Sequence, residues 1–426
     1  MKLSLYRMAT TLGGPLIRLY LNKRLKRGKE DAARFEERLG IASLPRPDGR
    51  LVWIHAASVG ESLSVLTFID RVQKDYPDTS ILVTTGTLTS ARLMAKRLPQ
   101  GAVHQYVPAD CVSYVRRFLE HWKPDLAFWV ESEFWPNMVI ETRARAVPMV
   151  VLNGRMSQSS YEGWRKSRAM IGRILSAFPL VLAQSDTDGL RFQDLGAKAV
   201  DVPGNLKYAS APLPYDEAEL TKLKSTIGER PVWLASSTHP GEETIAGRAH
   251  KTLRDKLDNP LTIIVPRHPE RGSEIADDLK ASGLNVALRS IGDDLSDQTD
   301  VYIADTLGEL GIFYRLCSVV FIGKTLAGSG GQNPIEPAQL GCALIFGPDM
   351  SNFEDASALL SDAGGAHWVA NEGELTNTLE DLMTNEQNRT NAAQQAQDAI
   401  ASEAQVLERV MTTLTPYLKG DHDARI

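Results

Sequence analysis

The chain has 426 residues, 43% of them hydrophobic, and a formal net charge of −6 at pH 7. That length exceeds what one core usually supports and divides into two domains of about 200 residues, while the acidic balance argues against a nucleic-acid binder, which needs surplus Lys and Arg. Cys111, Cys317 and Cys342 are odd in number and far apart, which implies a reducing compartment, and no histidine spacing suits zinc.

At the N-terminus, Leu5, Met8, Leu12, Leu16 and Leu19 recur at helical spacing and are followed by Lys23, Arg24, Lys26, Arg27 and Lys29. This predicts an amphipathic helix with a basic collar. Lys2, Arg7 and Arg18 interrupt it and Gly13, Gly14 and Pro15 weaken it, so it falls short of the roughly 18 apolar residues of a spanning segment. No small-residue cleavage site follows, as a signal peptide requires. An interfacial anchor fits, drawn to anionic lipid on the cytoplasmic side. The competing reading is a helix that packs its stripe on its own domain.

Short apolar runs at residues 51–55, 81–84, 126–130, 149–152 and 180–183 read as strands, each followed by a helical pattern. The rhythm returns at 232–235, 261–265, 301–304, 319–322 and 343–346. Two doubly wound parallel sheets are expected. The proline-rich, weakly periodic stretch 203–216 reads as the connection between them. The tail from Asn371 is polar, helical in propensity and without visible chemistry.

In parallel sheets ligands bind beyond the carboxyl ends of the strands, so the loops there carry the function. After the first strand, Ser58 to Glu61 places a carboxylate in the first turn of a helix. It reads either as a capping box or as a base whose proton affinity the helix dipole lowers and desolvation restores. Asp186-Thr187-Asp188 spells a possible magnesium motif, but Ser185 and Asp186 open a helix where acidic residues are favoured anyway. Arg267 and His268 follow a strand, where a cation suits a departing phosphate or, more plainly, an ion pair with Glu270. Thr306 to Glu309 is another capping-box match.

The stretch 319–340, VVFIGKTLAGSGGQNPIEPAQL, joins a buried strand to a helix through glycines 323, 328, 330 and 331. It reads as a phosphate cradle of bare N–H groups at positive φ, completed by a helix that starts near Asn333 with Pro334 in its first turn. Glu336 is too acidic for phosphate and suits ribose hydroxyls, or else closes a capping box with Asn333. A Walker A loop is excluded because Ser318 stands where its first glycine belongs. A dinucleotide fingerprint fails because Asn333 replaces the third glycine, which leaves a redox enzyme a weak alternative.

HAASVGE, VESEFWPN, GNLKY, VPRHPER, DTLGEL and GGQNPIEPA occur in this order between residues 55 and 338. The chain closely resembles the Kdo transferases, the 3-deoxy-D-manno-octulosonic acid transferases of lipopolysaccharide synthesis in Gram-negative bacteria. The resemblance implies a GT-B fold, two Rossmann-like α/β domains facing a cleft, and inverting transfer of Kdo from CMP-Kdo to a lipid A precursor of the lipid IVA type, without metal or cofactor, at the cytoplasmic face of the inner membrane. It implies a membrane-associating segment at 1–36, an acceptor-binding domain at 37–205, a linker at 206–230 and a donor-binding domain with C-terminal helices at 231–426. Carried over by motif, Glu61 matches the family's base, and Glu131 and Lys207 match positions assigned to transition-state stabilisation. Arg267 and His268, then Gly308, Glu309 and Leu310, then Asn333, Pro334, Ile335 and Glu336 match stretches that bind CMP. Gln332 departs from the histidine of many relatives, and Lys324 from a glycine. Trp129, Phe134 and Trp135 flank the acidic pair Glu131 and Glu133, Trp129 reading as core. The rival readings are a GT-B enzyme that transfers or epimerises a UDP-sugar, and a catalytically silent membrane-bound binding protein.

Overall fold

The computed structural model describes residues 2–420. The chain forms two units, Met1–Ser210 with Gln405–Ile426, and Ala211–Ala404. Each is built on a seven-stranded, wholly parallel sheet. The first contains β1 (Arg50–His55), β2 (Thr79–Thr85), β3 (Ala102–Tyr106), β4 (Leu126–Val130), β5 (Met149–Gly154), β6 (Leu180–Ala183) and β7 (Val200–Asp201) in the order β3-β2-β1-β4-β5-β6-β7. The second contains β8 (Val232–Thr238), β9 (Leu261–Pro266), β10 (Val286–Leu288), β11 (Val301–Ile303), β12 (Val319–Ile322), β13 (Ala343–Phe346) and β14 (Ala366–Trp368) in the order β10-β11-β9-β8-β12-β13-β14.

Helices cover both faces of such a sheet, so its central strands read as unbroken apolar runs. Every residue of β4, β5, β9, β12 and β13 is buried. Trp53 and Trp129 meet edge to face at 4.8 Å in the first core, with Phe118, Trp122 and Phe178 around them. The second core gathers Trp233, Ile264, Val301, Phe321 and Ile345 beneath Leu375 and Leu379.

The boundaries differ from the sequence expectation at both ends of the second domain. The turn Leu206–Ala209, expected in the linker, is held in the first unit because Asn153 Oδ1 accepts the Leu206 N–H at 2.9 Å. The helix Val406–Lys419, expected with the second domain, belongs to the first unit. Its Glu408 pairs with Arg71, its Tyr417 carbonyl accepts Arg50 at 2.6 Å, and its Arg409 donates to the Pro203 carbonyl at 2.7 Å. Polar periodicity cannot tell a tail which unit to pack on.

The N-terminal segment forms α1 (Lys2–Leu12) and α2 (Gly14–Lys26), broken at Gly13 with Pro15 in the first turn of α2. Their amphipathicity is turned outward. Tyr6 donates to Asp110 at 2.9 Å, Arg7 pairs with Glu141, and Asn137 donates to Thr10 at 2.9 Å, so the polar side of α1 faces the protein. Leu21 packs with Phe35 and Leu39. Leu5, Met8, Leu12, Leu16 and Leu19 remain 54% to 75% exposed. A helix packing its stripe on its own domain is therefore not what forms. No helix among the described residues is long and apolar enough to cross a membrane.

Candidate active site

In the first sheet the strand order reverses between β1 and β4, which opens a ligand crevice beyond their carboxyl ends. Beyond β1 the chain turns into α3 (Val59–Ser64), with Ser58 as its N-cap. Ser58 Oγ accepts the Glu61 N–H at 3.3 Å and donates to Glu61 Oε1 at 2.7 Å, while the Ala57 N–H donates to Oε2 at 2.8 Å. Ser58 therefore caps the helix through the Glu61 N–H, while the candidate base takes the Ala57 N–H in place of the Ser58 N–H that a full capping box would use. Glu61 is only 7% exposed, and burial, reinforced by the negative charge of Glu131, pushes its pKa up to about 7. The two hydrogen bonds pull the other way and lose. A six-residue helix supplies too little dipole to reverse that outcome.

Beyond β4, Glu131 sits at φ +57, and Asn153, at the end of β5, at φ +54. Two non-glycine residues in the left-handed region on adjacent strands are a local cost that the surroundings must hold in place. They do so with a compact polar network. Lys207 Nζ lies 3.0 Å from Glu131 Oε1, and the turn carrying Lys207 is fixed by Asn153 and by Asn205 Oδ1, which accepts the Lys207 N–H at 3.0 Å. Gln184, following β6, donates to the Asn153 carbonyl at 3.0 Å and reaches toward Glu131 at 3.5 Å. α3 packs on the Lys207 turn, so Glu61, Glu131 and Lys207 are brought together. Burial also raises the pKa of Glu133. Trp129 is wholly buried, Phe134 packs on Phe178 at 5.7 Å, and Trp135 is the exposed member of the three.

In the second sheet the order reverses between β8 and β12. Here the glycine-rich loop departs from expectation. Positive φ falls on Gly330 (+100), Gly331 (+68) and Lys324 (+65), not on Gly323 or Gly328. Gly323 is required for closeness instead, since a Cβ there would stand 2.4 Å from the Ser237 carbonyl oxygen. The N–H groups of the first half of the loop do not form an open cradle. They converge on the buried carboxylate of Glu242, from Lys324 at 2.7 Å, Thr325 at 2.9 Å and Leu326 at 3.1 Å.

The helix after the loop is Ile335–Gln339, two residues later than expected. Asn333 Oδ1 accepts the Ile335 N–H at 3.1 Å, so it caps the turn through the wrong amide for a capping box with Glu336. Pro334 and Ile335 are buried; Glu336 is half-buried and adds its charge to burial in raising the pKa of Tyr314, whose hydroxyl meets Ser236 at 2.7 Å.

Arg267 and His268 are exposed just beyond β9, and the His268 ring stands edge to face with His239 at 5.9 Å. His239 Nε2 lies 3.1 Å from the Gln332 amide nitrogen, which can donate to it. Burial, with Lys324, His268 and Arg267 nearby, lowers the His239 pKa. His239, Arg267, His268, Lys324 and Gln332 thus form one cationic and polar group beside the β8 and β12 ends. His268 Nδ1 lies 3.6 Å from Glu270, so of the two it is His268 that stands beside that carboxylate. Gly308, at φ +87, and half-buried Leu310 flank Glu309, whose carboxylate is bound by Arg289 at 2.6 and 2.7 Å and is held below the usual range by it.

Asp188 is a structural residue. Ser185 caps the helix Asp186–Asp194, and Asp188 Oδ1 accepts the Met156 N–H at 2.7 Å. Among the described residues no three His, Cys, Asp or Glu side chains gather to hold a metal. Asn153, Gln184, His239 and Glu242 were not singled out from sequence. Each lies at or just past a strand end, but which side chain turns inward depends on φ values that spacing does not reveal.

The family model described as 3-Deoxy-D-manno-octulosonic-acid transferase (kdotransferase) matches residues 33–210. The chain is 34% identical to the 3-deoxy-D-manno-octulosonic acid transferase of Rickettsia bellii over 97% of this chain and 99% of that one. It is 31% identical to the transferase of the same name from Haemophilus influenzae, over 95% and 96% of the two chains. Among solved structures, the UDP-GlcNAc 2-epimerase of Neisseria meningitidis covers 86% of this chain with a TM-score of 0.60 at 13% identity, a likeness of fold alone, that of the GT-B enzymes. On the near full-length identity to these relatives, the chain belongs to the 3-deoxy-D-manno-octulosonic acid transferases, a family of glycosyltransferases.

Proposed function

We propose that the protein transfers Kdo from CMP-Kdo to a lipid A precursor of the lipid IVA type, with inversion, and that Glu61 is the general base. The observation that carries this reading is the Glu61 carboxylate itself, buried at the β1/β4 switch point with a pKa near 7 and beside the Glu131–Lys207 pair. A base poised near neutral pH takes the acceptor hydroxyl proton as the oxygen bonds to the anomeric carbon of Kdo. The bond from that carbon to the CMP phosphate breaks, and its electron pair leaves with CMP. Lys207, held by Glu131, offsets charge that develops at the reacting centre.

The donor is assigned to the second unit. His239, Arg267, His268 and Lys324 supply positive and polar groups for the phosphate, and Glu336 suits the ribose hydroxyls. No step in this reading is routed through a metal or cofactor: Arg267 and Lys324 supply positive charge for the departing phosphate, and the Asp188 carboxylate is held by the Met156 N–H and the Ser185 hydroxyl. A UDP-sugar enzyme is disfavoured, because the epimerase likeness stands at 13% identity against 34% for a Kdo transferase.

The acceptor is met at a membrane surface, the cytoplasmic face of the inner membrane. The outward stripe of α1 and α2 supports this, since a row of exposed leucines beside Lys23, Arg24, Lys26 and Arg27 suits an anionic lipid interface. Purified protein incubated with CMP-Kdo and the lipid A precursor tests the whole reading. The lipid is expected to gain mass in Kdo increments, and a lipid of unchanged mass would refute it.

A further inference from the structure

We propose that Glu242 is a positioning residue of the donor site, whose carboxylate fixes the loop after β12 in the form that receives the sugar nucleotide. This rests on the reading of the second unit as the donor-binding one. Glu242 opens the helix Glu242–Arg254, follows Gly241 at φ +98, and is 1% exposed. Its Oε2 accepts the His239 N–H at 2.9 Å and the Lys324 N–H at 2.7 Å. Its Oε1 accepts the N–H groups of Thr325 at 2.9 Å, Leu326 at 3.1 Å and Ala327 at 3.5 Å. One side chain thereby ties the loop after β8 to the loop after β12, the two strands that flank the switch point.

Those amides point at a single spot and are not part of the sheet ladder. Without an anion among them, several half-buried donors would face each other unpaired, and the left-handed Lys324 would have no compensation. The Thr325 hydroxyl adds to the clamp by donating to the Ile322 carbonyl at 2.6 Å and accepting the Gly347 N–H at 2.9 Å. The loop closes through the Gly331 N–H to the Lys324 carbonyl at 3.1 Å, which sets Gln332 against His239. Because a carboxylate already occupies these N–H groups, the donor phosphate is left to the neighbouring side chains. Glu242 acts through the loop and does not touch the donor.

The test uses the full chain and the variants Glu242→Gln and Glu242→Asp, with kinetics against CMP-Kdo and against acceptor. The glutamine variant loses one acceptor oxygen and is expected to raise the donor KM at least about tenfold while leaving the acceptor KM unchanged. The aspartate variant keeps the charge and is expected to fall between the two; it carries the comparison alone if the glutamine variant does not fold. A folded variant with an unaltered donor KM, in a protein whose unmodified form turns over normally, would overturn this proposal alone. No turnover by the unmodified protein would overturn the donor reading and this proposal with it. Hydrogen exchange on the unmodified protein is an independent check. The amides of residues 324–327 are expected to be protected, and exchange as fast as at the exposed Ser329 would overturn the clamp.

Discussion

Lys207 Nζ stands 3.0 Å from Glu131 Oε1, and the charge of that same Glu131 raises the pKa of Glu61. The lysine therefore moderates the base through its partner. Replacing Lys207 by Met is expected to leave Glu131 unbalanced and shift the acid limb of the kcat/KM profile to higher pH. Glu131→Gln is expected to shift it down, by about one unit in each case. A profile measured between pH 5 and 9 checks both, and shifts of the same sign would break the link.

The pKa of Glu61 also makes a statement about stability. A carboxyl raised from 4.5 to about 7 in the folded state favours folding fully below its unfolded value, and that contribution is lost as pH rises through 7. Ionised Glu61 then costs about 3 kcal/mol. Glu61→Gln is expected to be the more stable protein at pH 8, by up to that amount, with the advantage gone near pH 5. Thermal melts at the two pH values check this.

The outward face of α1 and α2 should set membrane affinity. Changing exposed Leu12 and Leu16 together to Asp is expected to weaken binding to anionic vesicles about 100-fold, since each leucine contributes about 1.5–3 kcal/mol on leaving water. The fold should be unaffected, because neither side chain packs on the protein. Sedimentation with vesicles measures it, and unchanged binding would remove the anchor.

Donor specificity offers a simpler check. CMP is expected to raise the melting temperature clearly more than UDP, and Arg267→Ala to weaken the CMP effect about tenfold in concentration. Equal protection by both nucleotides would count against a cytidine donor.

Much of the fold was legible in the sequence, and the exceptions share a cause. All ten strands expected are present, and the four not foreseen, β3, β7, β10 and β14, are the four edges of the two sheets. Edge strands are short and half-exposed, so Val200 and Asp201 or Ala366 to Trp368 give no apolar run to read. The site was legible by type of position more than by contact. Glu61, Glu131 and Lys207 were marked by motif, and Lys207 does pair with Glu131, whose charge reaches Glu61, but the Glu242 carboxylate in the glycine-rich loop was not foreseen. Apart from the nearby His239 N–H, its partners are main-chain amides 82 to 85 residues away, and only the folded chain brings them to it.

The most direct measurement is the mass of the lipid product made from CMP-Kdo and a lipid A precursor by the unmodified protein and by Glu61→Ala. The unmodified protein should add Kdo, and the variant should add none while CMP still protects it from heat. Undiminished transfer by the alanine variant would contradict the assignment of Glu61 as the base.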